Sequence, residues 1–214
     1  MAQRAKPGAP QQRRNASAQR LARRQDRSRL EESLGGGQRM ILRTARLHLE
    51  PIRLPLVEAV LRGDRDAAER IAEAKLPAAW PGSALIERAF SASLDAIRKD
   101  PDGRLWGDRL MVITEGGVRV IVGSIVFHGR PRDGGVAEVG YGVEDESQRK
   151  GYATEAVQAS VEWALAQREC RAVEAATFAW NLASIRVLEK VGMQCVGTRD
   201  HEVLGEMLIY ERQR

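Results

Sequence analysis

The sequence has 214 residues, of which 43% are apolar, 29% charged and 5% aromatic, a composition typical of a soluble globular chain with one domain and an attached segment. No stretch approaches the roughly 18–20 consecutive apolar residues that span a bilayer, and the Arg-rich start lacks the apolar stretch of a secretory signal. We therefore expect a cytoplasmic protein that neither inserts into a membrane nor is exported.

The formal charge of +5 is distributed unevenly along the chain. Residues 1–39 carry ten basic and three acidic side chains, whereas residues 40–214 carry 24 basic and 26 acidic ones. The net charge is therefore +7 for the first segment and −2 for the remainder. A basic chain suggests nucleic-acid binding, but the predicted globular part is slightly acidic, so only the first segment is a candidate for it.

Residues 1–39 are rich in Arg, Gln, Ala and Ser and close with Gly35-Gly36-Gly37. Such a segment buries too little apolar area to offset its ordering entropy, so we predict a disordered N-terminal extension. Two interpretations stay open. The extension is either a basic arm that contacts RNA or acidic lipid head groups, or a segment without function, with translation starting at Met40.

From Met40 the apolar pattern alternates between the helix and strand periods. Strands are predicted within about 41–49 and at about 109–115, 119–128, 135–144, 171–178, 193–199 and 203–211; helices are predicted at about 54–62, 64–75, 83–99, 151–167 and 182–191. This order predicts an α/β (α+β) domain over residues 40–214, with a largely antiparallel central sheet flanked by helices.

The most informative segment joins the strand at 135–144 to the helix at 151–167. It ends in Gln148-Arg149-Lys150-Gly151-Tyr152-Ala153. Gly151 and Ala153 leave little bulk around the main-chain N–H groups, and the positive end of the helix dipole lies beside them. Arg149 and Lys150 add positive charge. These features predict a phosphate site built on main-chain donors.

Two common nucleotide motifs do not fit this segment. A P-loop requires Gly-Lys followed by Ser or Thr, and the dipeptide Gly-Lys does not occur in the sequence. A dinucleotide fingerprint requires Gly-x-Gly-x-x-Gly, and the stretch from Gly140 and Gly142 has Asp145 at the third glycine position.

The segment instead resembles the signature of the GCN5-related N-acetyltransferases, Gln/Arg-x-x-Gly-x-Gly/Ala. The flanking sequences are similar as well: Glu138-Val139-Gly140-Tyr141 before it, Ala153-Thr154-Glu155-Ala156 at its end, and the stretch from Asn181 to Met193 downstream. The resemblance covers residues 40–214 and is strongest over 119–197. It points to the branch related to ribosomal-protein alanine acetyltransferases.

The resemblance implies acetyl-coenzyme A as donor, used as a co-substrate, and no metal. The pyrophosphate is expected on the main-chain N–H groups of 148–153, and the pantetheine arm along 141–144. The coenzyme-binding residues implied are Tyr141, Val143, Gln148, Arg149, Lys150, Gly151, Tyr152, Ala153, Thr154, Asn181 and Ser184.

Strand alternation predicts Glu138, Gly140 and Gly142 on one face, with Val139, Tyr141 and Val143 on the other. The two glycines leave the first face bare, and we expect the thioester or the incoming amine there. Attack of an amine on a thioester requires a base, a donor to the oxyanion and an acid for the thiolate.

Glu138 is the predicted base, directly or through water. A carboxylate with an ordinary pKa of about 4.3 is a weak base, so a raised pKa or a water relay is required. The competing interpretation is a strand-edge carboxylate paired with an arginine. The main-chain N–H of Val143 is the predicted oxyanion donor.

Asn181 and Ser184 begin the helix at 182–191, where Asn181 suits an N-cap. The resemblance also places Asn181 against the pantetheine arm, and the two roles are compatible. Relatives often carry a tyrosine acid seven residues after this Asn, where this chain has Leu188. Ser184 replaces it as acid in the ribosomal-protein branch and is the predicted catalytic acid here.

Three histidines carry a weaker signal. The pair His201-Glu202 begins like a zinc-binding HExxH, but Gly205 stands at the fifth position, which disfavours a metal role. His48 and His128 lie in predicted strands and are expected to be packing or surface residues.

Tryptophans and cysteines are assigned from their neighbourhoods. Trp80 and Trp106 fall in the segment that lines the acceptor pocket in relatives and are candidate substrate contacts, whereas Trp163 is expected to pack on the sheet. Cys170 and Cys195 are expected to be small packing residues without a disulfide.

The predicted function is acetyl transfer to a primary amine: a protein N-terminus or a small molecule such as a polyamine, an amino acid or an aminoglycoside. The alternative is a non-catalytic acetyl-coenzyme A-binding sensor or scaffold module, which the missing tyrosine favours. A monomer and a homodimer are both compatible with the sequence.

Overall fold

A computed structural model describes residues 40–78, 94–201 and 205–214. The predicted extension over 1–39, Trp80, Glu202 and most of the helix predicted at 83–99 lie outside the described residues. The division of the chain at residue 39 stays a prediction.

The predicted fold class is confirmed, since eight strands of the described residues form one mixed sheet in the order β1-β2-β3-β4-β5-β6-β8-β7. The strands are β1 Leu42–Arg43, β2 His48–Pro51, β3 Arg109–Glu115, β4 Val118–Phe127, β5 Val136–Val143, β6 Ala172–Phe178, β7 Gln194–His201 and β8 Gly205–Gln213. Neighbouring strands are antiparallel except β5 and β6, which run parallel. The sheet therefore consists of two antiparallel halves joined at β5 and β6.

The single strand predicted within 41–49 is wrong, because the chain forms the two short strands β1 and β2 there. Thr44 donates its main-chain N–H to the carbonyl of Leu47 over 2.9 Å, and its hydroxyl oxygen accepts the N–H of Leu47 over 2.9 Å. Threonine competes with the strand ladder through such local bonds. The result is a tight turn over residues 44–47 that returns the chain onto β1.

Six helices lie in the described part of the chain: α1 Leu54–Leu61, α2 Arg65–Ala72, α3 Leu94–Lys99, α4 Pro101–Arg104, α5 Tyr152–Ala166 and α6 Leu182–Lys190. The predicted helix at 64–75 ends earlier, because Glu73 adopts the left-handed conformation with φ 51°. Helix α4 has no counterpart among the predicted helices; Asp100 caps its start through the N–H of Gly103. None of the described helices is long and apolar enough to cross a bilayer.

Two apolar clusters cover the sheet, one on each face. The first includes Ile125, Val139 and Val161 and packs α5 and α6 on the sheet, whereas the second includes Val57 and Val126 and packs α1 and α2 on the other face. Burying each large aliphatic side chain contributes about 1.5–3 kcal/mol. The layer of α5 and α6 thus packs on β5, which carries the candidate site, whereas the layer of α1 and α2 packs on β3 and β4.

Several side chains lie where the sequence did not predict them. Trp106 is buried, with its ring centroid 5.1 Å from Phe127 and 4.9 Å from Trp163. It is therefore a core residue, and its predicted contact with substrate is wrong. Trp163 packs on the first cluster as predicted. Cys170 is buried, but Cys195 is exposed, so the packing role predicted for Cys195 is wrong.

Strands β5 and β6 part after three paired positions, the last of which joins Glu138 and Glu174. Beyond that point β5 pairs only with β4, through positions 139–143. The gap that opens between β5 and β6 faces the N-termini of α5 and α6, and it is here that the predicted site residues gather.

The close pairing of β5 with β4 depends on Gly123. A Cβ atom at Gly123 would lie 2.2 Å from the carbonyl oxygen of Gly142. We predict that Gly123→Ala lowers the free energy of unfolding by about 1–3 kcal/mol through overpacking, measured by urea denaturation. Gly197→Ala on β7 is the matched control, because nothing lies within 4 Å of its added Cβ, and we expect a change within about 0.5 kcal/mol. Equal effects of the two substitutions would show that the close approach at Gly123 does not limit the packing of β5.

Candidate active site

A cleft of about 630 Å³ lies where β5 ends and α5 and α6 begin. This volume is within the roughly 300–1,000 Å³ of small-molecule sites. The lining residues are Tyr141, Gly142, Val143, Asp145, Ser147, Gln148, Arg149, Gly151, Tyr152, Ala153, Thr154, Asn181, Ala183, Ser184, Arg186, Val187 and Lys190. The structure thus brings together nearly all of the predicted site residues, whereas Glu138 and Lys150 are not part of the lining.

The end of β5 offers main-chain groups to this cleft. His128 donates its N–H to the carbonyl of Glu138 and Glu144 donates to that of Val122, each over 2.9 Å. Bonded and non-bonded positions alternate along an antiparallel ladder, so Tyr141 and Val143 direct their main-chain groups away from β4. The Val143 carbonyl accepts from Gln148 Nε2 over 3.1 Å. The Val143 N–H therefore faces the gap between β5 and β6.

The side chains of β5 alternate as predicted. Val139 and Tyr141 are buried on the α5 side. Gly140 lies on the opposite face beside Val126 and His128, with a hypothetical Cβ at 3.5 and 3.9 Å from their nearest atoms. The face of β5 that carries Glu138 is thus free of bulk at Gly140, as the sequence indicated.

The loop before α5 forms a cradle of main-chain donors. Arg149 adopts the left-handed conformation with φ 59°, and Gly151 does so with φ 84°. No side chain of the described residues caps α5 at Gly151, and within that part of the chain the N–H groups of 149–154 have no hydrogen-bond partner. Successive N–H groups in such turns form an anion-binding concavity.

The charged side chains that line the cleft are mostly positive, which also favours an anion. Arg149, Arg186 and Lys190 line it, against the single carboxylate of Asp145, whose oxygen also accepts from Gln148 Nε2 over 2.9 Å. The dipole of α5 adds positive potential at its N-terminus. The cradle and these cations fit a diphosphate, whose oxygens accept N–H hydrogen bonds and carry negative charge.

The start of α6 presents two polar side chains from the other wall. Asn181 caps the helix by accepting the N–H of Ser184 over 3.1 Å, which is the capping role considered from the sequence. The Ser184 hydroxyl lies 2.8 Å from the Tyr141 hydroxyl. Tyr141 was predicted as a coenzyme-binding residue, but the contact between its hydroxyl and that of Ser184 was not predicted. Leu188, at the position of the tyrosine in relatives, is fully buried in the core.

Glu138 lies in a cluster of cationic side chains on the other face of the sheet. Arg199 donates to both carboxylate oxygens, over 2.9 and 3.3 Å, and Arg132 and His128 lie 3.5 and 3.7 Å away. Burial, the largest influence, raises the pKa of Glu138, but the Arg199 bonds and the charges of His128, Arg199 and Arg132 outweigh it and leave the pKa below its ordinary value.

This environment bears on the base predicted at Glu138. The pairing with an arginine was the competing interpretation, and it is present. A raised pKa, which direct proton abstraction by Glu138 requires, is not found. The water relay is the remaining form of that prediction.

Glu144 is a further carboxylate near the cleft, besides Asp145 and Glu138, and no sequence motif marked it. One of its oxygens is buried without a hydrogen-bond partner among the described residues. Burial, followed by the neighbouring charge of Asp145, raises the pKa of Glu144. Its position directly after Val143 was visible in the sequence, but its burial depends on tertiary packing.

The histidines and acidic residues of the described ranges form no group of three or more that could hold a metal ion. His201 lies 6.1 Å from the Phe178 ring in an edge arrangement. His128 is the histidine that approaches a predicted site residue, namely Glu138.

Comparisons with known proteins agree with this geometry. Residues 46–194 match the sequence model of a family described as an acetyltransferase (GNAT) domain. The chain is 30% identical over 153 residues to the uncharacterized N-acetyltransferase YjdG of Bacillus subtilis, an alignment that covers 72% of this chain and 89% of that protein.

Solved structures share the fold. An acetyltransferase of the same family from Bacillus anthracis superposes with a TM-score of 0.53 at 20% identity, over 81% of this chain and 98% of that one. RimL, a ribosomal L7/L12 N-terminal acetyltransferase solved with coenzyme A, gives a TM-score of 0.52 at 15% identity, over 81% and 97%. The resemblance to the acetyltransferase family stated from the sequence is confirmed by the match to the family model and to YjdG.

The Glu138 cluster predicts a pH-dependent contribution to stability. We expect Glu138→Gln to lower the free energy of unfolding near pH 7 by about 1–3 kcal/mol, because Arg199 loses a charged acceptor. Folding lowers the pKa of Glu138, so this stabilisation is present above the unfolded pKa of about 4.3 and is lost as the pH falls through the native pKa.

Urea denaturation of both proteins between about pH 7 and pH 3 measures this effect. Glu58→Gln, whose partner Arg98 is half exposed, is the matched control and should change stability by about 0–1 kcal/mol. A difference between wild type and Glu138→Gln that is unchanged across this pH range would refute the assignment.

Proposed function

Since the chain belongs to the GNAT acetyltransferase family and is an acetyl-coenzyme A-dependent acyltransferase, we propose that it acetylates a primary amine by direct attack of the amine on the thioester. The acceptor is a protein N-terminus or a small-molecule amine. The observation that carries this proposal is one cleft in which an uncapped helix N-terminus meets the end of β5 that lies beyond its pairing with β6.

The two walls of the cleft match the two parts of the donor. Within the described part of the chain the N–H groups of the cradle over 149–154 have no partner, and this donor set suits the pyrophosphate. The pantetheine arm, which contains amide groups, lies along residues 141–144 as an added strand, where the Val143 N–H faces the gap. The acetyl thioester supplies an activated carbonyl carbon and a thiolate leaving group.

The residues of this chain then supply the remaining chemistry. As the amine nitrogen bonds to the carbonyl carbon and the carbon–sulfur bond breaks, the Val143 N–H donates to the oxygen on which negative charge develops. The Ser184 hydroxyl, held 2.8 Å from that of Tyr141, gives its proton to the departing thiolate, and solvent in the cleft returns a proton to Ser184 after the thiol has left. The base removes the proton that the amine nitrogen loses.

Glu138 is the proposed base, acting through a water molecule. Its carboxylate is held in place by Arg199 on the face left bare by Gly140. Because its pKa is lowered, it stays ionised across the neutral range but is a weak proton acceptor. The pKa of Glu144 is raised instead, so Glu144 is the carboxylate with which the role of Glu138 as base is compared.

Two weaker indications bear on the acceptor, and neither distinguishes a protein N-terminus from a small amine by itself. RimL, which shares the fold, acts on the N-terminus of a ribosomal protein, and this supports a protein N-terminus here. Residues 40–214 carry a net charge of −2, which suits a cationic acceptor. The second candidate function is a non-catalytic donor-binding sensor, favoured by the buried Leu188 where relatives have an acid.

The proposal is tested by measuring coenzyme A release from acetyl-coenzyme A with a panel of amines: N-terminal peptides of ribosomal proteins, polyamines, amino acids and aminoglycosides. We expect saturable release stimulated by one class of amine. Gly151→Glu should abolish it, because the added side chain needs the space beside the cradle that Arg46 occupies and brings a negative charge next to the diphosphate, and we expect the affinity for acetyl-coenzyme A to fall by about 100-fold or more.

The control for this substitution is Gly117→Glu, in the turn between β3 and β4. Gly117 is exposed, has a similar φ of 81° and has nothing within 4 Å of an added Cβ, so donor affinity should be unchanged. Binding of acetyl-coenzyme A without release by any amine would favour the sensor. Normal binding by Gly151→Glu would refute the placement of the pyrophosphate.

The role of Glu138 is tested by the pair Glu138→Gln and Glu144→Gln. We expect Glu138→Gln to keep its affinity for acetyl-coenzyme A within about twofold and to lower kcat by about 100-fold, in the range of general base catalysis. Steady-state rates and calorimetry measure the two quantities. Wild-type rates in Glu138→Gln with a large loss in Glu144→Gln would transfer the role of base to Glu144.

A further inference from the structure

Arg46 lies in the turn between β1 and β2 and contacts the cradle and the first turn of α5 through Lys150, Tyr152 and Glu155. Its Nη1 donates to the carbonyl of Lys150 over 2.7 Å, and its Nε donates to Glu155 over 2.7 Å. Its guanidinium also lies 4.9 Å from the centre of the Tyr152 ring. No motif in the sequence marked Arg46, which lies more than 100 positions away from the loop along the chain.

The bond to the Lys150 carbonyl fixes one peptide plane of the cradle. In a trans peptide the carbonyl of one residue and the N–H of the next point in opposite directions. Because the Lys150 carbonyl points to Arg46, the N–H of Gly151 points to the opposite side, away from Arg46. A rotated plane would replace this donor with a carbonyl oxygen, which repels an anion.

The same side chain neutralises a carboxylate near the start of α5. Glu155 accepts from the Thr44 hydroxyl over 2.6 Å, from the Arg46 N–H over 2.8 Å and from the Arg46 guanidinium over 2.7 Å. An unpaired carboxylate within a turn of the anion site would oppose a diphosphate. Burial raises the pKa of Glu155, but the bonds from Thr44 and Arg46 outweigh it and lower that pKa.

The contact between Arg46 and the loop is close. A Cβ added to Gly151 would lie 3.2 Å from Arg46 Nη2, so the guanidinium occupies the space that any other side chain at 151 would need. Glycine at this position thus serves two purposes, since it adopts φ 84° and admits Arg46 against the main chain.

We propose that Arg46 is a positioning residue for the donor: it holds the main-chain donors of 149–154 toward the cleft and compensates the charge of Glu155. This inference rests on the proposed placement of the pyrophosphate. It predicts that loss of Arg46 weakens donor binding while leaving the chemical step intact, because Arg46 touches neither the reacting atoms nor the Tyr141–Ser184 pair.

The test compares Arg46→Gln, Arg46→Lys and Arg98→Gln with wild type. Arg98→Gln is the matched control, since Arg98 is 49% exposed and bound to Glu58, as Arg46 is 48% exposed and bound to Glu155. Calorimetry gives the Kd for acetyl-coenzyme A. Turnover at saturating donor gives kcat, and S-acetylpantetheine, which lacks the diphosphate, gives a second kcat/KM.

For Arg46→Gln we expect the Kd for acetyl-coenzyme A to rise about tenfold or more, the loss typical of a charged hydrogen bond. The values of kcat and of kcat/KM for S-acetylpantetheine should stay within about twofold of wild type. Arg46→Lys keeps the charge and one donor but not the planar fork, and should recover part of the affinity. Arg98→Gln should match wild type in all of them.

Unchanged affinity for acetyl-coenzyme A in Arg46→Gln would overturn the inference, as would equal losses with both donors, which indicate a general structural defect. If Arg46→Gln does not fold, Arg46→Lys carries the same comparison. Normal binding by Gly151→Glu would remove the pyrophosphate placement and this inference together. Loss of binding in Gly151→Glu with a normal Arg46→Gln would remove this inference alone.

Discussion

The parting of β5 from β6 creates the site. Three parallel pairs hold the strands together up to Glu138 and Glu174, and beyond them β4 is the strand that pairs with β5 among the described residues. Unpaired main-chain donors inside a protein are costly unless a ligand or water satisfies them. The gap therefore exposes the Val143 N–H, and a bound ligand or water stabilises it by accepting its hydrogen bond.

The loop before α5 also presents main-chain N–H groups to the cleft, here at the N-terminus of a helix. Helices leave their first N–H groups without intrahelical partners, and most recruit a capping side chain. Here Gly151 offers none, while Asn181 caps α6 a short distance away. The contrast between a capped and an uncapped helix at one cleft separates the wall that we propose for the phosphates from the wall that carries Ser184. Arg46, more than 100 residues earlier in the sequence, contacts the loop before α5 through the Lys150 carbonyl and contacts α5 through Glu155.

Much of this arrangement could be predicted from the sequence. Apolar periodicity located β3, β4, β5 and α5 to within a residue or two, and Gly151 and Ala153 marked the cradle because main-chain phosphate binding requires small side chains at fixed spacing. Asn181 was identifiable as a cap. These features are local, and each depends on a few consecutive residues.

The remainder depends on contacts between distant segments, for which one sequence carries no local signal. The pKa of Glu138 is set by Arg199, 61 positions away, and the role of Arg46 by Lys150 and Glu155. Trp106 was predicted to contact substrate from its place in the sequence. Its burial against Phe127 and Trp163 depends on tertiary packing, which the sequence does not show. The turn at Thr44, which splits a predicted strand, depends on a side-chain hydrogen bond that competes with the ladder.

An NMR titration of the main-chain amides with acetyl-coenzyme A tests whether main-chain donors hold the coenzyme. Direct hydrogen bonding by these donors predicts that the largest amide shifts occur at Val143 and at residues 149–154, with small shifts in β7 and α2. Saturable binding that shifts other amides and leaves Val143 and Gly151 unchanged would show that the coenzyme binds elsewhere.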